Sequence, residues 1–181
     1  MQDCAHHPRE TLEYGPATLR RWRWQDEEAV YTAVIESRDH LRPWMPWAVG
    51  YSREIAAGFL AACDRDWDSG DAYNYAIIVG GRIAGSCGLM ARIGPGGLEI
   101  GYWVHRAYVR RGLATAAAAA LADAAFRLPG TNYVEIVHDE LNDASGAVPR
   151  KLGFAEMGSR SLDIKPEAGT GIGIVWRLTR P

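Results

Sequence analysis

Apolar residues change their spacing several times along the chain, and each change marks an element. "AYNYAIIV" (72–79), "RIAGSCGLMAR" (82–92) and "GLEIGYWV" (97–104) read as three successive strands. Gly80-Gly81 joins the first two as a tight hairpin, and "GPGG" (94–97) joins the second to the third. Upstream, "ATLRRWRW" (17–24) predicts a first strand, followed by a helix capped by Asp26 and running to about Ser37. Pro43 and Pro46 keep residues 39–51 irregular, since proline breaks a helix and cannot donate to a ladder. Ser52 caps a second helix reaching about Trp67, and residues 69–71 turn into the strands.

Residues 112–128 predict a third helix, stopped by Pro129-Gly130. "NYVEIVH" (132–138) is a further strand, a short helix lies within 142–152, and "FAEMGSRSLDI" and "GIGIVWRLT" are two last strands around a loop at 165–171. The strands at 97–104 and 132–138 are joined through a helix, so they should be parallel neighbours with a right-handed crossover. The expected fold class is therefore α/β, a mixed and mostly antiparallel sheet with one parallel pair and helices on both faces. Ligands of such sheets sit where a strand ends and a helix begins.

The helix after the third strand of the meander, within "YVRRGLATAAAAALADAAF" (108–126), is rich enough in alanine to pass for filler. On a helical wheel Leu113, Ala117, Ala120, Leu121, Ala124 and Leu128 share a face, while Asp123 and Arg127 form a polar pair. Strong helix formers that are apolar on most sides describe a buried, closely packed helix. Its entry carries Arg110, Arg111 and Gly112, then Thr115. Unpartnered amides of a first turn, a glycine and two guanidiniums suit an anion. A glycine that only makes the turn, with solvated arginines, fits the same letters.

Composition narrows the class. The 181 residues suit one domain, and a formal charge of −2 gives no basic footprint, so no nucleic acid is expected. Three scattered cysteines (Cys4, Cys63, Cys87) form neither a disulfide framework nor a metal pattern. His6, His7 and His40 have no convergent ligands, and no metal is expected. No secretory segment opens the chain and no apolar run is long enough to span a bilayer. The expectation is a cytoplasmic protein with no membrane partner.

"GYWVHRAYVRRGLATAAAAALADAAF", "VHDELNDASGAVPRKLGF" and "LRPWMPW", in this order, resemble the GNAT superfamily of N-acetyltransferases, especially its RimJ/RimL-like branch. The resemblance covers most of the chain from about residue 17. Residues 1–10 are polar and read as a loose leader, and the resemblance makes 11–181 a single acetyltransferase domain. It also implies acetyl-CoA as cosubstrate, an amine acceptor, and direct transfer in a ternary complex. The acceptor is a protein N-terminus or a small-molecule amine; a homodimer and, from another class, a catalytically silent acyl-CoA-binding module are alternatives carried alongside.

By the same resemblance the pyrophosphate falls to Arg110, Arg111, Gly112, Leu113, Ala114 and Thr115. Val109 stands where the family pattern has a polar residue, which leaves the backbone cradle unaffected. Trp103, Val104 and His105 are assigned to the pantetheine arm, with Asn142 and Ser145 matching the family's N-x-x-S. Arg150 and Lys151 meet the outer phosphate or line a solvated helix face. Backbone N–H groups near 103–105 can polarise the carbonyl.

For proton transfer Glu99, mid-strand in "LEIGYWV", is the first candidate base, unless it is simply salt-bridged; His138 is the second, unless it is structural. Ser145 is the donor to the leaving thiolate, and Tyr102 and Tyr133 are fallback acids. Trp44, Met45 and Trp47, with Tyr73 and Tyr75, either wall an amine pocket or seal the core. Asp163 and Glu167 border the last loop.

Overall fold

The structure, a computed structural model, describes residues 7–181. Eight strands run β1 Thr11–Tyr14, β2 Ala17–Arg21, β3 Ala72–Val79, β4 Arg82–Met90, β5 Gly97–Val104, β6 Tyr133–Asp139, β7 Ala155–Ser161 and β8 Ile172–Thr179. Four helices, α1 Glu27–Leu41, α2 Arg53–Ser69, α3 Leu113–Arg127 and α4 Asp143–Lys151, interleave with them. One sheet has the order β1-β2-β3-β4-β5-β6-β8-β7. Every neighbouring pair is antiparallel except β5 and β6, which are parallel.

Strand alternation divides the core in two. Tyr73, Tyr75 and Ile77 of β3 join the cluster built around α3, whereas Ala76 joins Trp22, Val30, Val34, Leu60 and Cys63 under α1 and α2. Helices thus cover both faces. Ser52 caps α2 as expected, its Oγ accepting from the Ile55 N–H at 3.3 Å, and Gly70 ends it in the left-handed region at φ 81°.

Three local readings needed correction. β1 adds an edge strand ahead of the expected first one; its "TLEY" does alternate, but four mostly exposed residues are too short a run to stand out as a strand. Asp26 stands at the N-cap of α1 as expected, but its carboxylate makes no capping bond there. Its carboxylate instead binds Arg20 at 2.9 and 3.0 Å and the Arg23 N–H at 2.9 Å, closing a 3-10 turn at Trp24–Asp26. α1 runs on past Ser37 to Leu41, because Ser37 is fully buried and its Oγ accepts from the Arg106 N–H at 3.1 Å. Residues 1–6 of the expected leader lie outside the described residues.

The parallel pair makes the feature that matters. β5 and β6 are in register only at Gly97–Tyr133, Leu98–Val134 and Glu99–Glu135. Beyond Glu99 the strands separate, while β5 stays paired with β4 as far as Val104. The sheet therefore splits toward the carboxyl ends of both strands.

Candidate active site

β5 leads from the split into the loop before α3, and α1 braces that turn. His105 Nδ1 accepts from the Ala107 N–H at 3.1 Å, so Nε2 carries the hydrogen and donates to Glu36 Oε2 at 2.9 Å. Arg110 follows at φ 62° and Gly112 at φ 73°, two left-handed residues that swing the chain onto the helix. Arginine adopts that region at a cost of about 1–2 kcal/mol. Gly112, at the N-cap, has no side chain to satisfy the amides of the first turn. Those amides, with the positive end of the macrodipole, face a cleft of about 910 Å³.

The opposite wall comes from the start of α4. Asn142 Oδ1 accepts from the Ser145 N–H at 3.2 Å and caps the helix. From β5, the Tyr102 hydroxyl reaches across the split and donates to Ser145 O at 3.0 Å, with Ser145 Oγ 3.3 Å away. Burial pushes the Tyr102 phenol up to about 12, against a smaller downward pull from the Ser145 bond. The third wall is the end of α1 and the loop after it, with His40, Leu41, Trp44 and Met45.

Most of the expected cosubstrate residues meet in this one cleft: Trp103, Val104, Arg110, Gly112, Leu113, Ala114, Thr115, Asn142, Ser145 and Lys151. His105 and Arg111 stand beside it. His105 is buried against Glu36, and Arg111 lies 5.2 Å over the Tyr108 ring. Of the expected acceptor residues Trp44 lines the cleft and Trp47 lies 6.0 Å from Trp103 with the rings tilted by 53°. Tyr73 does not reach it; it is buried edge-on to Trp67 at 5.2 Å.

The two candidate bases do not line the cleft either. His138 sits in the core beneath α4, where Nδ1–H donates to Asp139 O at 2.8 Å and Nε2 accepts from Trp176 Nε1 at 2.9 Å. Gly146 makes this fit possible, since a Cβ there would fall 2.6 Å from the imidazole. Each Glu99 oxygen is held by a guanidinium, one by Arg92 and the other by Arg160 at 3.0 Å. Among the described residues no group of three or more His, Cys, Asp or Glu is placed to hold a metal ion, and no helix is long and apolar enough to cross a membrane.

Sequence reasoning missed His40, Leu41 and Tyr108 as lining residues. The first two were hidden by ending α1 at Ser37. Tyr108 carries no motif of its own.

Residues 17–155 match the family described as the acetyltransferase (GNAT) domain. YdaF of Bacillus subtilis (strain 168), named as a candidate ribosomal N-acetyltransferase, is 30% identical over 146 residues, covering 78% of this chain and 79% of YdaF. Among solved structures, RimL, a ribosomal L7/L12 alpha-N-protein acetyltransferase in complex with coenzyme A, superposes with a TM-score of 0.86 at 20% identity, covering 94% of this chain and 98% of that one. Mycobacterium smegmatis RimJ in complex with CoA-disulfide gives 0.83 at 22% identity, covering 99% and 90%.

Proposed function

The chain belongs to the acetyltransferase (GNAT) domain family and is an N-acetyltransferase of the RimJ/RimL-like branch, and from that premise we propose that it acetylates a protein N-terminal α-amine by direct transfer from acetyl-CoA. The observation that carries the reading is the single cleft in which the split of β5 and β6, the bare amides of α3 and the Ser145 hydroxyl converge. Ribosomal proteins are the acceptors to try first, because YdaF and RimL are named for them. One domain over residues 11–181, working in the cytoplasm, is part of the same reading.

The residues fit acetyl-CoA. The first turn of α3, with Arg110 and Lys151, offers amides and cations to its phosphates. Past Glu99 the β5 backbone lacks a β6 partner, so its polar groups are available to the amides of the pantetheine arm. Trp103 and Val104 lie on that stretch, and Asn142 faces them.

Which amine reacts is decided by proton supply. An α-amine titrates near 7.7–8.0, so roughly one molecule in ten is neutral at pH 7; a lysine near 10.4 is neutral in well under one per thousand. With both His138 nitrogens bonded and both Glu99 oxygens held, the cleft favours the amine that least needs a base. The amine nitrogen bonds the carbonyl carbon, the carbon–sulfur bond breaks, and the proton surplus to the new amide ends on sulfur. Ser145 Oγ–H hydrogen-bonds the departing sulfur. Tyr102 supports it from the side, its one proton donated to Ser145 O and burial holding its phenol above the ordinary range.

Thermal melting with saturating acetyl-CoA tests the binding half. At about 100 Kd the gain is roughly 2.7 kcal/mol, or about 5–11 °C for a chain of this size. Thiol release with ribosomal-protein N-terminal peptides tests the transfer. No shift overturns the cosubstrate, and binding without turnover on any N-terminal peptide overturns the acceptor.

A further inference from the structure

On the sheet face away from α3, three arginines from three elements converge on two buried carboxylates. Arg92, just after β4, and Arg160 of β7 hold Glu99; Arg177 of β8 bonds Glu135 Oε1 through Nε at 2.9 Å and through a terminal nitrogen. The carboxylate side chains are 8% and 6% exposed, whereas Arg92, Arg160 and Arg177 are 61%, 47% and 36% exposed. Arg177 is stiffened further by lying 4.1 Å over the Tyr133 ring.

A guanidinium has five N–H donors, and these bonds occupy one or two of them on each arginine. The glutamates therefore work as anchors beneath a cationic surface. Three positive charges against two negative leave an excess of one in a chain whose formal charge is −2.

Position gives the cluster a role. Glu99 and Glu135 are partners on the last rung before the split. Trp103, on the same face of β5 and four residues on, lines the cleft. Four residues of strand span about 13 Å, the reach of about four residues of an extended peptide. We propose that Arg92, Arg160 and Arg177 form a subsite for an acidic side chain near the third to fifth residue of the acceptor, so that the substrates are N-termini bearing early Asp or Glu. This rests on the N-terminal acceptor proposed above.

Decapeptides with a common N-terminus and Glu, Gln or Lys at residues three to five test it by steady-state thiol release. A charge-assisted contact predicts kcat/KM roughly tenfold higher for Glu than for Gln, with the gap narrowing as salt rises. Arg92→Gln, the most exposed position, should bring the Glu-to-Gln ratio toward one, and Arg92→Glu should turn the preference toward Lys. Equal use of all three peptides by the parent enzyme overturns the subsite while leaving the N-terminal acceptor standing. An undiminished Glu preference in both variants also overturns it. If no peptide turns over although acetyl-CoA binds, the acceptor reading falls and takes the subsite with it.

Discussion

Tyr102 spans the split with a single hydroxyl, and what that hydroxyl does is separable from its ring. Its one proton is donated to Ser145 O at 3.0 Å, and the 3.3 Å contact with Ser145 Oγ positions the serine, whose own proton must turn from the tyrosine oxygen to reach sulfur. Tyr102→Phe keeps the buried ring and removes only the donor. We expect kcat to fall on the order of 10-fold to 100-fold, less than the loss of a direct oxyanion donor, with KM for acetyl-CoA little changed. Ser145→Ala should cost at least as much, and the double variant no more than Ser145→Ala alone, because the tyrosine acts through the serine. Multiplying losses would show independent roles. None of this pairing is legible in the sequence, since its partners lie 43 residues apart. The same blindness affected His138 and Glu99: residue type suggested a base, and only the packed neighbours show the His138 lone pair taken by Trp176 and each Glu99 oxygen held by an arginine.

At the scale of elements, α3 was legible because alanine spacing is a packing statement. Ala117, Ala118, Leu121 and Ala125 are fully buried, and Ala116, Ala120, Ala122 and Ala124 nearly so, which extends the burial beyond the face read from the helical wheel. A helix this tightly seated has no room for larger side chains. Ala118→Leu should therefore destabilise by about 1–3 kcal/mol, lowering Tm by roughly 2–12 °C in a thermal melt. An unchanged Tm would mean the helix can lift from the sheet. The α3 entry was legible too, although its strain was not: the left-handed Arg110 is a backbone fact, and the letters Arg-Arg-Gly point only to Gly112. β1 and the end of α1 escaped because exposed edges and helix ends carry little apolar signal.

Over the whole molecule, strand–helix–strand order foretold the parallel pair and hence the split, but not how distant loops are tied around it. Asp139, at the end of β6, accepts from the N–H groups of Leu141, Thr170 and Gly171 at 3.1, 3.2 and 2.8 Å. The same β7–β8 loop donates from Ala168 N–H to Pro43 O at 2.9 Å, so one carboxylate fastens the segment that leads to Trp44 and Met45. Burial pushes the Asp139 carboxyl up, but the three backbone donors and nearby His138 outweigh it and hold it below the ordinary range. Folding thus favours its ionised form. That contribution is complete well above the unfolded value of about 3.9; its loss begins below about pH 5 and finishes as pH falls through the lower folded value. Asp139→Asn keeps one acceptor oxygen but sets an amide against N–H donors. It should lower stability at pH 7 by about 1–3 kcal/mol and flatten the acid limb of stability against pH. Urea titrations of both proteins from pH 2 to pH 7 measure this directly. An identical acid slope in the variant would move the acid-sensitive contact elsewhere.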